Sequence, residues 1–409
     1  MSELEVNVDP RAFGVDPLRL ERVTSFFDGY VERRELPGWL ATVARGGELV
    51  WKGSGGWRDR EQSLPVTDDT IWRIFSMTKP ITSVAAMILY EEGHFDLNDA
   101  VSKWIPSFKT ARVFRGGTSQ NPVTEGLTEP LRVHHLLTHT SGLTYGFQYV
   151  HPVDAIYRAK GYDFGYAKGA DLAQAVEDWA SAPLLFQPGS HWNYSVSVDV
   201  LGRLIEIWSG QRLDVFIKER VSDPLGMSDT RWWCAPEDEE RLAMLYALGP
   251  EGIYPLSELA SAARRERRLF DGGGGLLSTA RDYHRFTSML LGGGALDGVR
   301  LLSPRTLDLM TRNHLPGNTD LEHFAVGAFA ETDMAGVGFG LGFSVVIDQA
   351  ANKSLFSEGT FAWGGAASTA FWVDPVEDLT VCFYTQLLPS STFPLRRQLQ
   401  RLVYQALVD

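Results

Sequence analysis

Cysteine is nearly absent from this chain: Cys234 and Cys382 are the only two in 409 residues, and they lie far apart with no partner at a metal-ligand spacing. A disulfide framework and a cysteine metal site are therefore not indicated. Cys382 falls in Leu379-Thr-Val-Cys-Phe-Tyr384, which reads as a buried strand where a thiol acts as a small hydrophobe. Positive charge is also scarce. A formal net charge of −13 repels phosphate backbones and anionic lipid, and the one dense basic cluster, Arg264-Arg265-Glu266-Arg267-Arg268, is short and interrupted by an acid. Nucleic acid is not an expected partner.

No stretch approaches the ~20 apolar residues of a membrane span. The start, Met1-Ser-Glu-Leu-Glu-Val6, lacks a basic segment followed by an apolar one. A cytoplasmic protein with no membrane partner is expected. No Pro/Ser-rich linker, repeat or low-complexity tract divides the chain. Familiar catalytic signatures are missing too. No serine has glycine two positions away on both sides, which excludes the nucleophile elbow of α/β hydrolases. Gly272–Gly275 is not followed by Gly-Lys-Ser/Thr, and the glycines of Gly336-Val-Gly-Phe-Gly-Leu-Gly342 have the wrong spacing for a dinucleotide loop. That last segment reads instead as a glycine-rich strand facing a cleft. His135 and His139 are four apart with His134 adjacent, but Leu136 stands where a zinc protease needs glutamate, so structural histidines and no metal are expected.

What is present is ample core material: 44% hydrophobic and 22% charged residues, as in ordinary globular proteins. Asp16-Pro17 reads as the N-cap and first residue of a helix to about Arg34. A hairpin follows, from Trp39 to Ala44 and from Glu48 to Lys52 about Gly46-Gly47. A helix after Ser76 runs to about Glu92 and is ended by Gly93, with Pro80 in its first turn. Apolar spacing from Leu131 to about Leu269 is mostly helical, as in 171–180 and 198–208. From Val337 onward it turns to strands, at 338–347, 367–373 and 379–386, with a closing helix at about 395–407. Strands at both ends imply an α+β protein: an antiparallel sheet from residues 1–75 and 270–409, flanked by helices, with 76–269 as an inserted, mainly helical subdomain. An active site would lie where the two meet.

Three short segments suggest chemistry. Ser76 is the only serine with a lysine three positions on, and that spacing on a helix sets the Lys79 ammonium beside the hydroxyl, as an activated nucleophile requires. Tyr194, after the Pro188-Gly189 turn and before a helix, would sit at a loop edge, where a nearby lysine lowers a phenol's pKa towards that of a base. In Trp363-Gly364-Gly365-Ala366, read as opening a strand, two glycines let a substrate approach the backbone, so the Ala366 and Ser76 amides suit an oxyanion hole. Each segment alone also fits a plainer role: an N-cap, a packing tyrosine, a tight strand entry.

Together, in this order and at these separations, they resemble the serine β-lactamase and penicillin-binding fold, particularly its class C β-lactamase-like branch, and more closely the family VIII carboxylesterases. Arg132–Leu143, Trp192–Gly202, Asp223–Met227 and Gly273–Ala280 extend the likeness over nearly the whole chain. The resemblance implies that Ser76 attacks an acyl carbonyl, that Lys79 and Tyr194 share the proton transfers, and that Ser76 and Ala366 hold the oxyanion, with no cofactor. Two departures from class C lactamases stand out: Val196 replaces an asparagine two residues after the tyrosine, and Trp363-Gly364-Gly365 replaces Lys-Thr-Gly. Both remove polar grips on an anionic antibiotic, which favours neutral esters with short or medium acyl chains.

The aromatic loop around Tyr145 and Tyr149 suits either an apolar substrate pocket or core closure, and Trp363 is the stronger pocket residue. Thr138–Pro152 also resembles the fungal lovastatin-type acyltransferase, so transfer to an alcohol is the nearest alternative to hydrolysis of a small-molecule ester. Weak β-lactamase activity and a non-catalytic ligand sensor follow. The sequence does not specify oligomeric state.

Overall fold

Central strands whose side chains are buried on both faces need helices above and below them, and this requirement organises the fold. The computed structural model describes residues 4–167, 169–326 and 334–409. Among these, eight strands form one antiparallel sheet: β1 (Gly38–Arg45), β2 (Glu48–Asp59), β3 (Leu64–Pro65), β4 (Val337–Phe339), β5 (Ser344–Val346), β6 (Phe361–Gly364), β7 (Ala370–Asp374) and β8 (Leu379–Tyr384). Their spatial order is β4-β5-β6-β7-β8-β1-β2-β3. The two ends of the chain are joined where β1 pairs with β8, Leu40 opposite Tyr384 through Arg45 opposite Leu379.

Alternation along β8 assigns its two faces. Leu379, Val381 and Phe383 join one core with helices α1 (Pro17–Glu32) and α5 (Leu395–Tyr404), whereas Cys382 and Tyr384 join the other. That second core is the larger. It packs α2 (Thr78–Glu91), α3 (Ser197–Ser209) and α4 (Ala280–Leu291) into one body with the sheet. Helix α1 starts as its sequence predicts, with the Asp16 carboxylate accepting the Leu18 N–H and Pro17 at the first position. No helix among the described residues is long and apolar enough to cross a membrane.

Two expectations are corrected. The strand expected over 338–347 is a hairpin, β4 and β5, closed by a bond from the Gly340 N–H to the Phe343 carbonyl. Gly340 permits it, because a Cβ there would lie 2.1 Å from the Met310 carbonyl oxygen. Trp363 and Gly364 end β6 rather than opening a strand; the next strand begins at Ala370, after a turn closed by the Gly365 N–H on the Thr369 carbonyl. The stretch 131–269 is mainly helical in its elements, as expected, with helices at Leu172–Ala180 and Ser197–Ser209 among others. The hairpin Tyr246–Gly249 and Gly252–Pro255 interrupts it and pairs in parallel with Leu387–Leu388, outside the main sheet.

Candidate active site

Ser76 sits in the single 3₁₀ turn Phe75–Met77 that leads into α2, with Lys79 and Pro80 in the first turn of that helix. Neighbouring backbone pins the turn. Trp72–Arg73 pairs with Leu277–Ser278, the Ile74 N–H donates to the Leu276 carbonyl, and the Tyr283 hydroxyl donates to the Met77 carbonyl. Phe75 adopts φ 43°, a left-handed conformation that costs an aromatic residue energy and persists because its surroundings over-determine it. The consequence is a half-buried Ser76 at the head of a helix, open to the cleft on one side.

Lys79 is almost wholly buried, at 1% exposure. Its ammonium donates to the Gly273 carbonyl at 2.6 Å and to Ser76 Oγ at 3.3 Å. Burial lowers its pKa strongly, while the carboxylates of Asp199 and Asp271 work in the opposite direction. These acids form a small buried group. The Tyr166 hydroxyl lies 2.9 Å from Asp271 Oδ2 and 3.3 Å from Asp199 Oδ1, and Asp199 Oδ1 also accepts the Gly273 N–H at 2.9 Å. Burial, then the proximity of Asp271, raises the Asp199 pKa. The Gly273 peptide thus links Asp199 on one side to Lys79 on the other, and a Cβ at Gly273 would sit 2.5 Å from Asp199 Oδ2.

The Tyr194 ring lies face-on to Lys79, with the ammonium 4.4 Å from its centroid. Trp363 Nε1–H donates to its hydroxyl at 3.3 Å, which ties the end of β6 to the segment entering α3. Tyr145 packs at 5.4 Å from the same ring. His139 backs it at 4.8 Å, and the other histidines have work elsewhere: His134 meets His314 at 3.1 Å and His135 Nδ1 accepts the Arg132 N–H. Among the described residues no His/Cys/Asp/Glu group is arranged to hold a metal.

Gly365 is where the turn after β6 approaches the segment leading into Ser76. Its Cβ would lie 2.4 Å from the Ile74 carbonyl oxygen, so only glycine allows the two backbones to meet there. A Cβ at Gly364 would meet the Arg396 guanidinium at 2.3 Å, the end of a flexible side chain that can move aside, so the restriction there is weaker than at Gly365. Among the described residues no backbone carbonyl takes the Ala366 N–H, and Ala366 lines the same space as Ser76.

Two cavities meet at Ser76 and Ala366. A narrow cleft of about 140 Å³ runs past Trp363, Gly364 and Gly365 and along Ala362. A broad cavity of about 650 Å³ is lined by Tyr145, Phe147, Phe164, Tyr166, Tyr194 and Val196. The structure separates the two tyrosines of the aromatic loop. Tyr145 lines the broad cavity, whereas Tyr149 turns out at φ 56°, is 63% exposed, and donates its hydroxyl to Asp163. Sequence reasoning did not single out Asp199, Asp271, Gly273 or Tyr166. A usable signal existed for Asp199 alone, an acid set among Val198, Val200 and Leu201 on the apolar part of α3.

Known proteins resemble this chain over most of its length. A family model described as beta-lactamase matches residues 23–405. Esterase EstB from Burkholderia gladioli is 35% identical over 401 residues, covering 93% of each chain. Lovastatin esterase from Penicillium rubens is 30% identical over 359 residues, covering 83% of this chain and 85% of the other. Among solved structures, EstCE1, described as a hydrolase with promiscuous acyltransferase activity, superposes with a TM-score of 0.80 at 27% identity, covering 97% of this chain and 99% of its own.

Proposed function

The chain belongs to the beta-lactamase family, and from that premise we propose that it is a serine esterase of the family VIII kind, hydrolysing small carboxylic esters through an acyl-enzyme on Ser76. The observation that carries this reading is the buried Lys79, 3.3 Å from Ser76 Oγ and laid against the face of Tyr194. Burial favours the neutral amine, the form able to take a proton.

In the first half-reaction the Ser76 proton passes to the base formed by Lys79 with Tyr194 while Oγ bonds to the ester carbonyl carbon. The Ser76 and Ala366 amides receive the oxyanion, a contact worth about 10²–10³ in kcat per donor in other hydrolases. Collapse breaks the bond to the alcohol, which leaves with the proton. Water then gives its proton to the same base, attacks the acyl carbon, and releases the acid and Ser76. The narrow cleft admits a short group and the broad cavity takes the remainder of the ester. Val196 supplies no amide at the edge of the site, so lactam turnover ranks below ester turnover.

A second reading, acyl transfer, is favoured by the broad cavity: its aromatic walls can seat an alcohol acceptor where water would otherwise attack. Hydrolysis of p-nitrophenyl butyrate, measured beside a chromogenic cephalosporin, tests the main reading. Wild type is expected to cleave the ester, to cleave the cephalosporin weakly or not at all, and to lose about 10⁴-fold or more in kcat as Ser76→Ala. Equal rates for the two proteins would overturn the mechanism.

A further inference from the structure

The one basic cluster of this acidic chain lies at the broad cavity. Arg265, Arg267 and Arg268 all line it. Arg267 is engaged with Asp271 at 3.5 Å, and Arg264, just outside, with Glu239. Arg265 and Arg268 are exposed and, among the described residues, make no ion pair or hydrogen bond. Deeper in the same cavity Arg73 is buried, at 6% exposure; it donates to the Ala243 and Ala260 carbonyls and, among the described residues, has no carboxylate partner. The acids that share the lining are largely occupied: Asp163 accepts from Tyr149, and Asp271 faces Tyr166 and Arg267. Among the described lining residues, Glu266 is the acid that stands beside the free guanidinium groups.

Two unpaired guanidinium groups at the rim of an aromatic cavity, with a buried one beneath, suit a carboxylate on an apolar body. Guanidinium presents a planar fork of donors that matches a carboxylate in two-point contact. The aromatic walls cover the body that carries it, and a cavity of about 650 Å³ is the size of a drug-like molecule. We propose that the larger half of the preferred ester carries a carboxylate, which Arg265 and Arg268 hold at the mouth of the broad cavity, remote from the reacting carbonyl. This rests on the serine-esterase reading above. It leaves the surroundings of the scissile bond neutral, as Val196 and Trp363 suggest, and moves recognition of negative charge to the rim.

The test compares matched ester pairs whose larger half ends in a carboxylate or in the neutral carboxamide. One pair carries the group on the acyl side and the other on the alcohol side, so the result also shows which half enters the cavity. In wild type the anionic member of at least one pair should have kcat/KM about five- to tenfold higher, the worth of one or two rim-exposed charge contacts, mostly through KM. The preference should shrink in about 0.5 M salt. Arg265→Gln/Arg268→Gln should abolish it while kcat/KM for p-nitrophenyl butyrate stays unchanged, and Arg265→Glu/Arg268→Glu should reverse it. No preference in either pair, or a preference that survives the double substitution, overturns the proposal. Failure to hydrolyse p-nitrophenyl butyrate would instead overturn the esterase reading. Both arginines are exposed and unpaired, so their replacement leaves the fold intact.

Discussion

The narrow cleft beside β6 reaches Ser76 along the tightly packed turn at Gly365, whereas the broad cavity is walled by side chains such as Tyr145, Phe147 and Phe164 and opens to solvent at its rim. In the cleft, Gly365 lies so close to the Ile74 carbonyl that even a methyl group would collide with backbone, whereas one on Gly364 would meet only the Arg396 side chain. Across Ser76, Phe164 is 42% exposed and Arg265 and Arg268 reach into solvent. Under the proposed mechanism, the tight packing falls where an oxyanion would be held and the open rim where a substrate would vary. The proposed chemistry and the proposed recognition would then fall on opposite sides of Ser76.

The largest break in this contrast should come from Gly365→Ala. Its Cβ would push against the Ile74 carbonyl and move the Ala366 amide off the reacting carbonyl, so kcat for p-nitrophenyl butyrate should fall about 10²–10³-fold, the loss of one oxyanion donor. Thermal unfolding of the same variant separates a displaced loop from a collapsed fold, the first leaving a cooperative transition.

Asp199→Asn sharpens the comparison from the buried polar side. The base must be deprotonated to act, and burial pushes the Lys79 pKa down to about 7, so kcat/KM should rise with pH through neutrality. The Asp199 charge acts against that depression. Removing it makes the ammonium less favourable, lowers the pKa further, and should shift the acid limb of the pH profile to lower pH. The asparagine oxygen can still accept the Gly273 N–H, so a purely structural role would lower kcat without moving the limb. Ala362→Leu should have the smallest effect. It fills part of the narrow cleft and should penalise the longest accepted short group by about tenfold in kcat/KM, a methylene or two of lost space, with little change for acetyl esters.

The pieces of the site that were legible in the sequence are those fixed by local spacing. Ser76 and Lys79 are one helical turn apart, and Tyr194 is announced by the turn before it and the helix after it. Glycines at 364 and 365 signal a close approach of backbones, although not that they end β6 rather than begin a strand, because the two neighbouring strands differ only in where the turn falls. Contacts made by the tertiary fold were not legible. Asp199 and Asp271 meet at Tyr166 only after α3 and the Gly272–Gly275 segment pack together, and no periodicity records that meeting. The same holds for the basic cluster. In sequence, Arg264–Arg268 served only to argue against nucleic acid; in the fold it borders the cavity that opens on Ser76. Tyr145 and Tyr149 look alike in the sequence, and a left-handed residue at 149 sends them to opposite environments.

The central claim is that Ser76 carries the acyl group, and intact-mass measurement of protein quenched during turnover of p-nitrophenyl butyrate tests it most directly. Wild type should gain the mass of one butyryl group, mapped by peptide digestion to the segment containing Ser76, and Ser76→Ala should gain none. A butyryl group on any other residue, or an adduct of equal yield in Ser76→Ala, would contradict the account.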